Sequence, residues 1–209
     1  MEIRFCDDRG AHGFSWIVDD PATRTSHALA ADGKVWLVDP VRHEPALERA
    51  RSLGEPAAVI QLLDRHNRDS AAVAEELGVP HLATPDSLPG TPFEALAVKT
   101  SARWRETALW WPDERTLVVA EAIGTNVFFR SGEDEAGVHL LNRLSPPRSV
   151  LGSFDPEHLL VGHGEGLHGE GAAAGLRAAL AHSRTGLLGV IARIPALVLD
   201  ARRRRRHAS

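Results

Sequence analysis

Side chains capable of ligand or acid–base chemistry gather at three places in this 209-residue chain. The densest is the hexapeptide Asp64-Arg65-His66-Asn67-Arg68-Asp69. The others are Glu121, which follows an apolar run, and His163, inside the glycine-rich stretch VGHGEG. Asp64, His66, Asp69, Glu121 and His163 together supply three carboxylates and two imidazoles, enough to hold one or two divalent ions and activate a bound water. So oxygen-rich a set suits Mn, Mg or Fe better than Zn. Arg68 points elsewhere, because a permanently charged guanidinium repels a nearby metal ion and can itself neutralise the carboxylates. Each residue also has a plain structural role open to it: His66 hydrogen-bonded at a strand-to-helix turn, Asp69 as a helix N-cap, His163 packed in a loop.

The elements that must position these groups follow from periodicity and punctuation. Phe14 to Val18, Ser26 to Ala30 and Lys34 to Asp39 read as strands, the last two joined across Asp32-Gly33 as a hairpin. Ala46, Leu47, Ala50 and Leu53 share one helical face, and Gly54 ends that helix. Ala58 to Leu63 is a buried strand, and the hexapeptide sits at its C-terminal mouth, before a helix over Ser70 to Leu77. Phe93 to Val98, Thr107 to Trp111 and Thr116 to Ala120 read as strands, with a turn at Pro112 to Arg115. A helix is expected over Ala136 to Leu144, a short strand over Leu159 to Val161, and an Ala-rich helix over Ala172 to His182. Asp39 reads as a turn former.

Composition narrows the function classes. A hydrophobic content of 43% supports a real core, and a net charge of -4 argues against a nucleic-acid partner. One cysteine permits neither an internal disulfide nor a CxxC pair. The polar start MEIRFCDDRG lacks a secretory h-region, so a cytoplasmic location is expected. Gly164, Gly166 and Gly169 spell a dinucleotide fingerprint, but the sequence after the next helix lacks the second strand of a βαβ unit, so no nucleotide cofactor is expected. No G-x-S-x-G elbow is present.

The order of landmarks resembles the metallo-β-lactamase-fold hydrolases. It is carried by SHALAADGKVWLVDP, then AAVIQLLDRHNRDSAAVAEELGVPHLA, then TLVVAEAIG and LLVGHGEG, from about Ser26 to about His182. The resemblance implies an α/β, four-layered αββα sandwich with a metal site between two sheets. It also implies an H-x-H-x-D-H motif at the positions held here by Asp64, His66, Arg68 and Asp69. The family's next histidine falls in TSARWRET, where Arg103 is its counterpart; its bridging aspartate corresponds to Glu121 and its last histidine to His163. The metal-binding motif is therefore degenerate.

Residues 1–185 are read as the metallo-β-lactamase-like domain and 186–209 as an apolar segment with a polybasic tail. The leading expectation is a metal-free, non-hydrolytic protein in which Arg68 and Arg103 bind a small anionic molecule. The alternative is a hydrolase of esters, thioesters or phosphoesters carrying one or two divalent metals (Mn, Fe or Zn) on Asp64, His66, Asp69, Glu121 and His163. A third reading makes the protein a scaffold acting through its C-terminal segment. In that case residues 187–206, apolar and then arginine-rich, could touch an anionic membrane surface.

Overall fold

The computed structural model describes residues 2–187 and 189–191. Its first sheet contains β1 (Ile3–Cys6), β2 (Gly13–Val18), β3 (Thr25–Ala31), β4 (Lys34–Val38), β5 (Glu55–Gln61) and β6 (His81–Ala83), neighbours in space in that same order. From β1 to β4 each strand is antiparallel to the last, because short turns join them. Asp32 and Gly33, both at positive φ, make the two-residue β3–β4 turn. The β4–β5 and β5–β6 pairs are parallel, and their connections carry α1 (Glu44–Leu53) and α2 (Ser70–Leu77).

The second sheet has β7 (Glu94–Ser101), β8 (Trp104–Trp111), β9 (Thr116–Val119), β12 (His158–Val161) and β13 (Leu167–His168), ordered β13-β12-β9-β8-β7. Between β9 and β12 lie the two-stranded ribbon of β10 (Ile123–Gly124) and β11 (Gly137–Val138) and the short helix α3 (Arg148–Leu151). The helix α4 (Glu170–Ala181) follows β13. One apolar cluster lies between the sheets and joins Trp36, Ile60 and Leu62 to Phe93, Leu109, Trp111 and Val118. A second packs Leu47, Ala50 and Val73 of α1 and α2 onto the outer face of the first sheet. A third packs Leu176, Ala179 and Leu180 of α4 onto the second. The layers are therefore α, β, β, α, as the resemblance implies.

The expected hairpin, strands and three longer helices are present within a few residues of their expected bounds. The expected helix over 136–144 is not: Gly137–Val138 pairs with Ile123–Gly124, and only Leu140–Asn142 forms a 3₁₀ turn. The reason is local, since a Cβ at Gly137 would lie 1.9 Å from the Phe129 carbonyl oxygen, an approach that only an extended glycine there permits. The glycine fingerprint spans the turn after β12, the antiparallel β13 and the start of α4, and so opens no βαβ unit. No helix among the described residues is long and apolar enough to cross a membrane. Val190, at 3% exposure, packs on the domain and its N–H donates to the Gly186 carbonyl, while residues 188 and 192–209, including the polybasic run, lie outside the described residues.

Phe93 stands edge-on to both Trp36 and Trp111, at 5.2 and 5.4 Å between ring centroids, and so wedges the two sheets together. Phe93→Ala should lower the free energy of unfolding by about 3–5 kcal/mol, and Phe93→Leu by clearly less, read as shifts of the urea midpoint.

Candidate metal centre

Two stitches between the sheets frame one polar cleft. Past β5 the chain leaves the first sheet and bonds to the second, with Thr107 N–H donating to the Leu62 carbonyl and Asp64 N–H to the Arg105 carbonyl. The hexapeptide is thereby carried over the gap. At the other stitch, Thr25 N–H donates to the Gly162 carbonyl and Gly164 N–H to the Thr23 carbonyl, which draws the end of β12 toward the start of β3.

His163 is held at this second stitch by the glycines on either side. A Cβ at Gly162 would lie 2.2 Å from the Ala120 carbonyl oxygen, and one at Gly164, whose φ is +104°, would lie 2.1 Å from Thr125 Oγ1. The ring's Nδ1 lies 2.8 Å from the Ala22 carbonyl oxygen, which can only accept, so Nδ1 carries the proton and Nε2 is bare. His66 is oriented in the same way, with Nδ1 3.0 Å from Asp39 Oδ2. Burial alone would raise the Asp39 carboxyl, but bonding to His66, the nearby Arg68 charge and the Leu62 N–H outweigh it and hold the group below the usual range. The acceptor is thus a carboxylate, which holds a proton on His66 Nδ1 and leaves Nε2 turned toward the cleft.

The two Nε2 atoms face each other at 3.3 Å. Burial, reinforced by the neighbouring His66, pushes His163 down to about 3, so its ring is neutral near pH 7. Glu121 completes the group: one ligand atom from each of His66, Glu121 and His163 lies within 4.8 Å of the others. Glu121 Oε1 is 3.5 Å from His139 Nε2, while Oε2 is buried and has no hydrogen-bond partner among the described residues.

Glu121 is aimed by residues that sequence reasoning did not single out. Glu106, fully buried, accepts the N–H groups of Glu121 and Ala122 on Oε1 (2.8 Å each) and the Trp104 indole N–H on Oε2 (2.8 Å). Burial pushes the Glu106 carboxyl up, and these three donors pull against it. His139 takes the Leu141 N–H on Nδ1 and lies against the Trp104 and Phe129 rings, at 5.0 and 5.5 Å. The available signal for Glu106 was a carboxylate inside the otherwise strand-like WRETALWW; nothing local marks His139. Asp39 does shape a turn, at φ +45°, but it also orients His66.

The other sequence candidates lie apart from this group. Asp64 is exposed and accepts the Arg105 N–H at 3.0 Å. Asp69 makes no side-chain cap on α2; its Oδ2 instead accepts the Arg42 N–H at 2.8 Å. Arg103 sits on the exposed β7–β8 turn, where its carbonyl accepts from Arg65. Arg68 lies next to the cleft, with its guanidinium donating to the backbone carbonyls of Thr25, Asp39 and Gly162.

No family profile matches the chain, and neither does any curated protein sequence. Solved structures do. DIM-1 metallo-β-lactamase aligns over 88% of this chain and 98% of its own, at 13% identity and a TM-score of 0.55. VMB-1 aligns over 90% and 97% at 9% identity, TM-score 0.59. A putative diflavin flavoprotein fragment from Nostoc sp. PCC 7120 aligns over 90% and 98% at 13% identity, TM-score 0.62. The fold is that of the metallo-β-lactamases.

In a metallo-β-lactamase fold the question is whether these residues suit a metal. Two nitrogen ligands about 2.0–2.1 Å from a tetrahedral ion stand about 3.3–3.4 Å apart, and the two imidazole Nε2 atoms match that separation. The buried Glu121 oxygen beside them has no hydrogen-bond partner among the described residues. Two imidazoles and one carboxylate form a donor set used for catalytic zinc and for non-haem iron. The residues fit.

Glu106→Ala would leave two backbone N–H groups and an indole N–H unpaired inside the protein. It should cost about 3 kcal/mol or more in chemical denaturation. Glu106→Gln, which keeps an acceptor for Glu121 and Ala122, should cost less.

Proposed function

We propose that this protein is a metal-dependent hydrolase with a single-ion centre on His66, Glu121 and His163, acting on an ester, thioester or phosphoester. The observation that carries the reading is the unpartnered Glu121 Oε2 buried beside two imidazole Nε2 atoms that face each other at 3.3 Å. A bound divalent ion lowers the pKa of its water to about 7 and so supplies a hydroxide nucleophile at neutral pH.

The chain's own residues hold the ligands in place. Asp39 and the Ala22 carbonyl fix the two imidazole tautomers, and Glu106 fixes the backbone from which Glu121 projects. His139, 23% exposed at its side chain, stands beside Glu121, with its Nε2 3.5 Å from the Glu121 carboxylate. A metal-free anion site on Arg68 and Arg103 has less support. Arg68's bonded donors go to carbonyls, and Arg103 lies on a separate exposed turn.

Elemental mass spectrometry on untagged protein purified without chelator should find about one equivalent of Zn, Mn or Fe, lost in His66→Ala/His163→Ala. Turnover of a nitrophenyl ester, thioester or phosphodiester panel should vanish with chelator. Folded wild-type protein that takes up none of the three metals overturns the reading.

Asp39→Asn removes the charge that keeps the His66 proton on Nδ1. Metal affinity, measured by competition with a chromophoric chelator, should fall about 10–100-fold while the protein stays folded.

A further inference from the structure

Arg68 is held in a way that a solvent-facing arginine is not. Its backbone adopts φ +40°, outside the common regions for a non-glycine residue. Nη1 donates to the Thr25 carbonyl and, at 2.9 Å, to the Asp39 carbonyl; Nη2 donates to the Gly162 carbonyl at 2.9 Å. Nε is buried and has no partner among the described residues. The three carbonyls come from the start of β3, the residue after β4 and the residue after β12, so both sheets contribute. Carbonyl oxygens converging beside a carboxylate form the kind of oxygen cradle that hard cations occupy.

This cradle shares its walls with the metal centre. Asp39 offers its carbonyl to Arg68 and its carboxylate to His66, and Gly162 offers its carbonyl to Arg68 one residue before His163. The guanidinium therefore already occupies the carbonyl-lined position beside the cleft, tied to backbone from both sheets. Arg24 and Asp20, the other charges near Arg68, are bonded to each other at 2.8 Å. A second divalent ion at this position would meet that fixed positive charge inside a partly dry cleft, where like-charge repulsion is costly.

The geometry points to Arg68 as the centre's resident second cation: its guanidinium fills a carbonyl-lined cradle beside His66, Glu121 and His163 and limits the site to one metal ion. This inference rests on the metal-centre reading above. Arg68 acts here as a positioning residue, since its bonded donors are committed to the backbone.

The test is metal stoichiometry on the full chain, by equilibrium dialysis against millimolar Zn(II) or Mn(II) with elemental analysis. Mn(II) EPR reports whether two ions are coupled. Wild-type protein and Arg68→Lys should saturate at one ion per chain with an uncoupled signal. Arg68→Asp, which removes the positive charge, adds a ligand and tolerates positive φ, should rise to two, with a coupled signal. Two ions in the wild type, or one in folded Arg68→Asp, overturns the inference while leaving the metal centre standing. No ion in the wild type overturns the metal-centre reading itself, and the inference with it. If circular dichroism shows Arg68→Asp unfolded, Arg68→Asn makes the same test: it is neutral, accepts the same backbone and should admit a second, weaker ion.

Discussion

The site depends on one buried aspartate. Asp39, 2% exposed, has every polar atom engaged: its N–H donates to the Ile60 carbonyl, Oδ1 accepts the Leu62 N–H, Oδ2 holds His66, and its carbonyl accepts from Ser26 Oγ and Arg68. A buried carboxylate is stable only when paired and hydrogen-bonded, so these partners are as necessary to Asp39 as it is to them. Its left-handed backbone, at φ +45°, turns the chain out of β4 just where the parallel neighbour β5 ends. The hexapeptide after β5 is therefore anchored to the end of β4 before its own helix begins.

That anchor is effective because the sheets are joined at the same level. Apolar packing around Phe93, Trp36 and Trp111 sets the spacing of the layers deep in the sandwich, and the two backbone stitches set it at the cleft. His66 comes from the first stitch and His163 from the second. Glu121 rises from β9 between them, on a backbone held by Glu106. The two imidazoles thus project from chain that is hydrogen-bonded across the sandwich, and Glu121 from chain held within the second sheet, which keeps the two Nε2 atoms facing each other at 3.3 Å.

The layered fold was legible in the sequence because its signals are local: the Asp32-Gly33 turn, the buried run over Ala58 to Leu63, and the helical spacing of Ala46, Leu47 and Ala50. The helix expected over 136–144 failed because its apolar residues serve a ribbon and a 3₁₀ turn fixed by contact with Phe129, a partner that spacing cannot reveal. The site was half legible. His66, Glu121 and His163 stand out as polar residues after apolar strands, whereas Asp64 and Asp69, equally prominent in sequence, accept backbone N–H groups outside the cleft. Glu106 and His139 escaped notice because their roles exist only once β8 and the 139–144 turn are folded over Glu121. Arg68 was noticed for its charge, but its destination, three carbonyls from two sheets, is a tertiary fact.

The supports of this centre are largely backbone: glycine-permitted approaches around His163, the Ala22 carbonyl, and the paired N–H groups that receive Glu106. Such supports leave the scaffold intact when a side chain in the cleft changes type, provided the local charge still balances. A guanidinium among backbone carbonyls preserves that balance without demanding the strict ligand geometry of an ion. The departures from the expected motif then follow one rule. Asp64 and Arg103 face solvent, Arg68 turns inward onto three backbone carbonyls, and the positions that converge on a common point carry two imidazoles and one carboxylate.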